Sequence, residues 1–228
     1  AGSELTLRKL GQLSFDSADG VGLVSKLRRI SRYSPIIKRM ESYADRLVLV
    51  KASGDHSTLD HVREWVEEAA AVRPQRLLLV VDYLQKIPVN WNVLHPETEV
   101  TTFLTQGLKE IAMSLGIRVI AVAASDRLGL KSKRMRLADL RGSSAVQYEA
   151  DIGLILNNKY AILSREHLVY NPTQAEGMRN WVVMSVEKNR AGRNAIDMEF
   201  ALDAAHFRIV PSGDFVRERL VDEKVVMA

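Results

Sequence analysis

Two uninterrupted apolar runs limit what this chain can fold into more than any other feature of its sequence. Leu77–Val81 ends at Asp82, and Val119–Ala123 ends at a polar stretch. A strand that is apolar on both sides suits a parallel sheet whose two faces are covered. Between the runs, residues 100–115 place apolar side chains on one side of a helix that Gly116 closes. This strand–helix–strand order predicts an α/β fold.

The rest of the chain extends this prediction. The sequence indicates helices before Tyr43 and from Leu59 to Pro74, with a short strand between them at Arg46–Lys51. A further strand is expected at Asp151–Leu156. Three short segments then predict antiparallel strands at one end of the sheet: Trp181–Val186, Ala195–Leu202 and His206–Val210. After Pro211 we expect a loose tail with a short helix through Phe215–Leu220.

Composition excludes several classes of protein. No apolar run approaches the roughly 20 residues that a membrane span needs, so no membrane partner is expected. The chain has no cysteine, which excludes disulfides and thiolate metal sites. We expect a cytoplasmic protein. A net charge of +4 and a pI near 9.3 permit a nucleic-acid partner without demonstrating one.

An acidic residue stands directly after the first apolar run, where Asp82 is followed by Tyr83, Leu84 and Gln85. Open α/β sheets bind ligands beyond the carboxyl ends of their parallel strands. In nucleotide hydrolases an aspartate at that place holds Mg²⁺, usually through water. The alternative is an aspartate that caps the next segment, and the strand-plus-aspartate pattern alone favours that alternative.

Two more motifs lie in the second half of the chain. Residues 139–151 read DLRGSSAVQYEAD, and residues 188–192 read KNRAG. Lys188 and Arg190, two apart and followed by a glycine turn, can project toward one anionic group. Such cations stabilise charge on a transferring phosphoryl group. The alternative is a solvated hairpin end.

The DYLQ, DLR-x-S with AD, and KNRAG motifs, in this order and spacing, resemble the DnaB family of replicative DNA helicases. The resemblance runs from about Leu5 to Ile209 and is strongest after Leu77. It implies a RecA-like domain, a mostly parallel twisted sheet flanked by helices, at residues 1–210 and incomplete at its N-terminus. Residues 211–228 would form a C-terminal tail. The family binds ATP and Mg²⁺ between the subunits of a hexameric ring and moves along single-stranded DNA.

The resemblance also implies a role for individual residues. Asp82 matches the aspartate that coordinates Mg²⁺. Lys188 and Arg190 match the basic pair that reaches the γ-phosphate bound on the neighbouring subunit, and Arg127 matches the arginine after the sensor strand of the nucleotide site. The loop that follows single-stranded DNA in the channel matches Arg141, Gly142 and Ser144.

A run of cations lies beside that loop. Its members are Arg127, Lys131, Lys133, Arg134 and Arg136. Such a run can neutralise phosphates without reading bases. A charge run is usually a solvated face, but the position of this one next to Arg141 favours DNA binding.

This sequence departs from the family pattern at three places. Ala124 stands where the family has a glutamine that senses the γ-phosphate, and Gly142 replaces a glutamate. No G-x-x-x-x-G-K-[ST] phosphate loop occurs in the printed residues. The chain therefore looks truncated, and the absence of a central strand is expected to leave neighbouring strand edges unpaired.

Two other functions stay open. One is a non-catalytic RecA-like module that binds DNA or a helicase partner without ATPase activity of its own. The other is a RecA-type ATPase of the recombination or circadian-clock kind. A phosphate loop encoded upstream of Ala1 would favour the helicase, and its absence there would favour the non-catalytic module.

Overall fold

The structure is a computed structural model. It describes residues 28–31, 33–50, 57–72, 77–91, 95–125, 134–140, 143–163, 172–206, 208–218 and 220–221. The chain divides into two compact units, one of residues 1–51 with 200–213 and one of residues 52–199 with 214–228. Across these described ranges, no helix is long and apolar enough to cross a membrane.

Helices and strands alternate through the first part of the chain, and strands dominate its end. The described helices are α1 (Ser34–Ala44), α2 (Leu59–Val72), α3 (Glu97–Ser114), α4 (Ser143–Glu149), α5 (Lys159–Ile162) and α6 (Pro172–Gly177). The described strands are β1 (Leu78–Val81), β2 (Arg118–Ala121), β3 (Ile152–Asn158), β4 (Trp181–Asn189), β5 (Ile196–Asp203), β6 (Arg208–Ile209) and β7 (Asp214–Phe215).

In the first unit, α1 begins with Pro35 in its first turn and buries Ile36 and Ile37. The end of β5 pairs antiparallel with β6, as the sequence predicts. The prediction of a strand at Arg46–Lys51 is wrong for the residues that the structure describes, because residues 47–50 are irregular and exposed. Its apolar residues suggested a buried strand, but a strand also needs a paired neighbour, which sequence alone does not supply.

In the second unit, the two apolar runs form β1 and β2, which pair in parallel with Val80 opposite Ile120. Helices α2 and α3 bury their apolar sides in the same core, whose buried residues are Val62, Leu84, Ile87, Leu104, Leu108 and Ile111. Gly116 adopts a positive φ of 63° just after α3, a conformation that glycine reaches without strain. The predicted helix and its end are thus confirmed.

The second unit also contains an antiparallel sheet. β3 pairs with β4, β4 lies beside β5, and β5 pairs with β7. The α/β class is therefore confirmed, but parallel pairing within the described residues is limited to β1 and β2. In those residues β2 has only β1 beside it and β3 has only β4, and the prediction of a missing central strand between them stays a prediction.

The segment after Pro211 differs from the expected loose tail with a short helix. Asp214 and Phe215 form β7, which pairs with Met198 and Glu199 of β5. Leu220 is buried and packs with the cluster around Ile162 and Val183. Packing of the Leu220 side chain holds this segment against the core. The polar residues around Leu220 had led to the prediction of a loose tail.

Candidate functional site

Asp82 lies where a parallel sheet places its ligands. Val81 pairs with Ala121, and the N–H of Val122 donates to the carbonyl of Val81 at 2.9 Å. Asp82 follows Val81 directly and its side chain is exposed at the carboxyl edge of β1. The carboxylate therefore faces solvent at the edge where open α/β sheets bind ligands.

Hydrogen bonds join the segment that follows β1 to the residues that follow β2. The N–H of Leu84 donates to the carbonyl of Val122 at 2.8 Å. The Gln85 amide donates to the carbonyl of Ala124 at 3.3 Å, and its Oε1 accepts from the N–H of Ala124 at 3.0 Å. Asp82, Gln85 and Ala124 thus meet at one edge. Sequence reasoning gave Gln85 no role, although its place in the DYLQ motif was the available signal.

The donor set at this edge fits Mg²⁺ better than a transition metal. Within the described ranges, no group of three or more His, Cys, Asp or Glu side chains lies close enough to hold a metal ion. Asp82 therefore offers one exposed carboxylate instead of a closed protein cage. Mg²⁺ commonly takes one or two carboxylates and completes its shell with water and phosphate oxygens.

Lys188 and Arg190 meet at the C-terminal end of α4. Lys188, on β4, donates from Nζ to the carbonyl of Gln147 and, at 3.2 Å, to that of Tyr148. Arg190, in the turn directly after β4, donates from one guanidinium nitrogen to the same Tyr148 carbonyl. The two cations therefore share an acceptor on one side of the molecule. Cations near the last turn of a helix also interact favourably with the helix dipole.

Asp151 supplies the negative charge beside these cations. Its Oδ1 accepts from Arg190 at 3.1 Å and its Oδ2 from Lys109 of α3 at 2.7 Å. The hydrogen bond from Lys109, aided by the charges of Lys109 and Arg190, holds the pKa of Asp151 below its ordinary 3.8 despite some desolvation. The sequence marked Asp151 only as part of a motif.

Two members of the predicted basic run, Arg134 and Arg136, lie in the described residues. The Arg134 side chain is buried and donates to Ser185 at 3.0 Å and to Asp197 at 2.5 Å. This geometry disagrees with the expectation that Arg134 contacts DNA, because only 2% of its side chain is exposed and its guanidinium already binds a carboxylate. Arg136 is half-buried and donates to Glu187 at 3.0 Å, so it is partly engaged as well.

Of the remaining predicted DNA and nucleotide contacts, Ser144 is the one that lies within the described residues. Ser144 lies in the first turn of α4 and is exposed. Five predicted site residues lie outside the described residues: Arg127, Lys131, Lys133, Arg141 and Gly142.

The described residues thus form an α/β domain with an exposed aspartate at the edge of a parallel strand pair and a basic pair near the end of a separate antiparallel strand. The family model described as the DnaB-like helicase C-terminal domain matches residues 22–209. The chain therefore belongs to the DnaB-like helicase C-terminal domain family, and the resemblance read from the sequence is confirmed.

Relatives among curated proteins agree with this assignment. The replicative DNA helicase DnaB of Mycoplasma pneumoniae is 27% identical over 207 residues, which cover 86% of this chain and 41% of that protein. The replicative DNA helicase DnaB of Rickettsia bellii is 36% identical over 107 residues, or 46% of this chain and 21% of that protein. The chain thus spans less than half the length of these relatives.

Solved structures show the same fold. A solved ATPase domain superposes with a TM-score of 0.65 at 17% identity, covering 92% of this chain and 66% of that one. A DnaB-like replicative helicase, from a study of its interactions with primase, also gives 0.65 at 18% identity, covering 92% and 45%. The chain therefore shares the fold of the matched parts of these two structures.

Proposed function

We propose that this chain is the motor portion of a ring-shaped replicative helicase that couples ATP hydrolysis to movement along single-stranded DNA. The observation that carries the proposal is the placement of Asp82 at the ligand edge while Lys188 and Arg190 gather at the end of α4. A site divided in this way suits catalysis between subunits, with each subunit giving one half. Family membership supplies the second support.

Asp82 would hold Mg²⁺ at the edge of β1, through water. When bound, the ion would neutralise charge on the phosphates of ATP. Arg190 and Lys188 would reach the γ-phosphate held by the neighbouring subunit in a hexameric ring. Arg190 is half exposed, with 50% of its side chain accessible, so it can exchange Asp151 for a phosphate with little desolvation.

The DNA contact would lie at the start of α4. Ser144 is exposed in its first turn, next to the sequence positions Arg141 and Gly142. Lys131 and Lys133 would add charge that neutralises phosphates without reading bases. Arg134 is left out of this proposed surface because its guanidinium binds Asp197 in the interior.

A second candidate is a non-catalytic DNA-binding module, and Ala124 favours it. At this position the side chain cannot hydrogen-bond to a phosphate, and the nearby Gln85 amide is held by the Ala124 backbone. A motor that lacks this hydrogen bond would need another way to sense the nucleotide.

Unwinding by the full-length protein tests both candidates. A forked DNA duplex with one labelled strand is incubated with ATP and Mg²⁺, and strand release is followed over time. The helicase proposal predicts release that depends on ATP and is lost in Asp82→Asn, since the amide cannot supply the negative charge that Mg²⁺ needs. DNA binding without release or ATP turnover would support the non-catalytic module and overturn the motor proposal.

A further inference from the structure

We propose that Asp151 is a positioning residue that ties the trans-acting Arg190 to the DNA-contacting helix α4 of the same subunit. The proposal rests on the proposed function, because it assumes the roles given there to Arg190 and to the start of α4. It adds a route by which DNA held at one end of α4 affects catalysis at the other.

Lys188 and Arg190 both bind the residues at the C-terminal end of α4. The carbonyls of Gln147 and Tyr148 accept from Lys188, and that of Tyr148 also accepts from Arg190. The Asp151 carboxylate accepts from Arg190 at 3.1 Å. The N–H of Arg190 also donates to the carbonyl of Asp151 at 2.9 Å. Backbone and side chain of Arg190 are therefore both bound to the segment that ends α4.

These contacts and the packing of α4 join Arg190 closely to the helix. The helix has seven residues, which corresponds to a length of about 10 Å, so its two ends are close. Ala145 is buried, and Val146 packs against the core that contains α3. The Asp151 carboxylate also binds Lys109 of α3 at 2.7 Å, which fixes its second oxygen. A shift at the exposed Ser144 end is therefore transmitted to Arg190.

Simple capping of a helix end would not need the carboxylate. Cations commonly bind the last carbonyls of a helix, and Lys188 already does so. Asp151 adds a charged contact to the one guanidinium that the proposed reaction requires. The carboxylate orients Arg190 until a phosphate replaces it, since both anions accept the same type of hydrogen bond.

The test measures DNA stimulation of ATP turnover by the full-length protein. The rate with oligo-dT is divided by the rate without it, for wild type and for Asp151→Asn. The variant is expected to lower this ratio about fivefold, a typical size for coupling between two sites. The loss is expected in kcat with DNA, with KM for ATP unchanged, because Asp151 does not contact ATP in the proposed site.

A matched control removes an equally exposed ion pair elsewhere. Glu176 is 62% exposed and pairs with Arg179, much as the 60% exposed Asp151 pairs with Arg190. Glu176→Gln is expected to keep the wild-type ratio. If Asp151→Asn does not fold, Asp151→Glu replaces it, and moving the carboxylate by one methylene is expected to lower the ratio about twofold.

The outcomes separate this proposal from the proposed function. Wild-type stimulation in Asp151→Asn, or in Asp151→Glu where that variant is needed, overturns the positioning role while leaving the helicase proposal intact. An Arg190→Ala protein that hydrolyses ATP at the normal rate overturns the proposed catalysis between subunits, on which the role of Asp151 rests.

Discussion

Arg134 and Asp197 form an ion pair between a loop and β5, with their N and O atoms 2.5 Å apart; the Arg134 side chain is 2% exposed and that of Asp197 is 21% exposed. Ser185 completes the group, since its hydroxyl donates to the same Asp197 oxygen at 2.6 Å. A cation that the sequence places in a basic run is thereby part of the core.

Removal of the buried guanidinium is expected to destabilise the protein. Arg134→Ala leaves Asp197, whose side chain is 21% exposed, without its cation, and the loss is expected to exceed the roughly 1 kcal/mol at the upper end for exposed pairs. Urea unfolding followed by circular dichroism measures the loss. Arg217→Ala is the control, because Arg217 is 83% exposed in its pair with Asp214 and its loss should cost less than about 1 kcal/mol. A similar small loss in Arg134→Ala would show that this ion pair does not stabilise the fold.

The two lysines of the basic run that precede the proposed DNA contact in the sequence are expected to govern the salt dependence of DNA binding. Replacing Lys131 and Lys133 by Ala should weaken oligo-dT binding and reduce the slope of log affinity against log salt by about 1.4, or 0.7 for each lost phosphate contact. Fluorescence anisotropy at several salt concentrations measures this slope. Lys38→Ala, an exposed lysine of α1, should leave it unchanged. A double variant with the wild-type slope would mean that this run is an ordinary solvated surface.

The 228-residue chain alone is expected to bind ATP weakly or not at all. Its printed sequence has no phosphate loop, and a triphosphate needs a dense set of N–H donors. Titration with a fluorescent ATP analogue measures the affinity, with the full-length protein for comparison. A dissociation constant in the range of roughly 1 µM for the isolated chain would contradict this expectation.

Asp151 is expected to make stability depend on pH in the acid range. Its pKa is lowered below 3.8 in the fold, first by the Lys109 hydrogen bond, so the ionised form stabilises the folded state. The stability advantage of wild type over Asp151→Asn should be complete above about pH 5 and should disappear as pH falls through the folded-state pKa. Urea unfolding at a series of pH values measures the difference. An advantage that persists unchanged to about pH 2 would exclude the carboxylate as its source.

Local patterns predicted the elements that local interactions determine. The apolar runs gave β1 and β2, the 3.6-residue period gave α3, and Gly116 marked its end. The alternating segments gave β4 and β5; one side of β4 buries Val183 and Ser185, whereas every residue of β5 is half-buried.

Long-range contacts account for what the sequence did not reveal. Arg134 is buried because Asp197, 63 residues later, lies beside it. The segment near Leu220 is ordered because that leucine bridges to Leu163. Asp151 was visible as a motif residue, but its two partners come from α3 and from the turn after β4. Spacing along the chain identifies candidates, while the fold decides which of them meet.

The most direct test of the proposed motor is ATP turnover by Arg190→Ala in the full-length protein with single-stranded DNA. Arg190 would act on the transition state of a neighbouring subunit, so its loss is expected to lower turnover roughly 10³-fold or more while nucleotide binding stays nearly intact. Mixing this variant with a phosphate-loop variant should restore part of the activity, because some interfaces would then contain one intact half from each. Normal turnover in Arg190→Ala with DNA present would contradict catalysis between subunits.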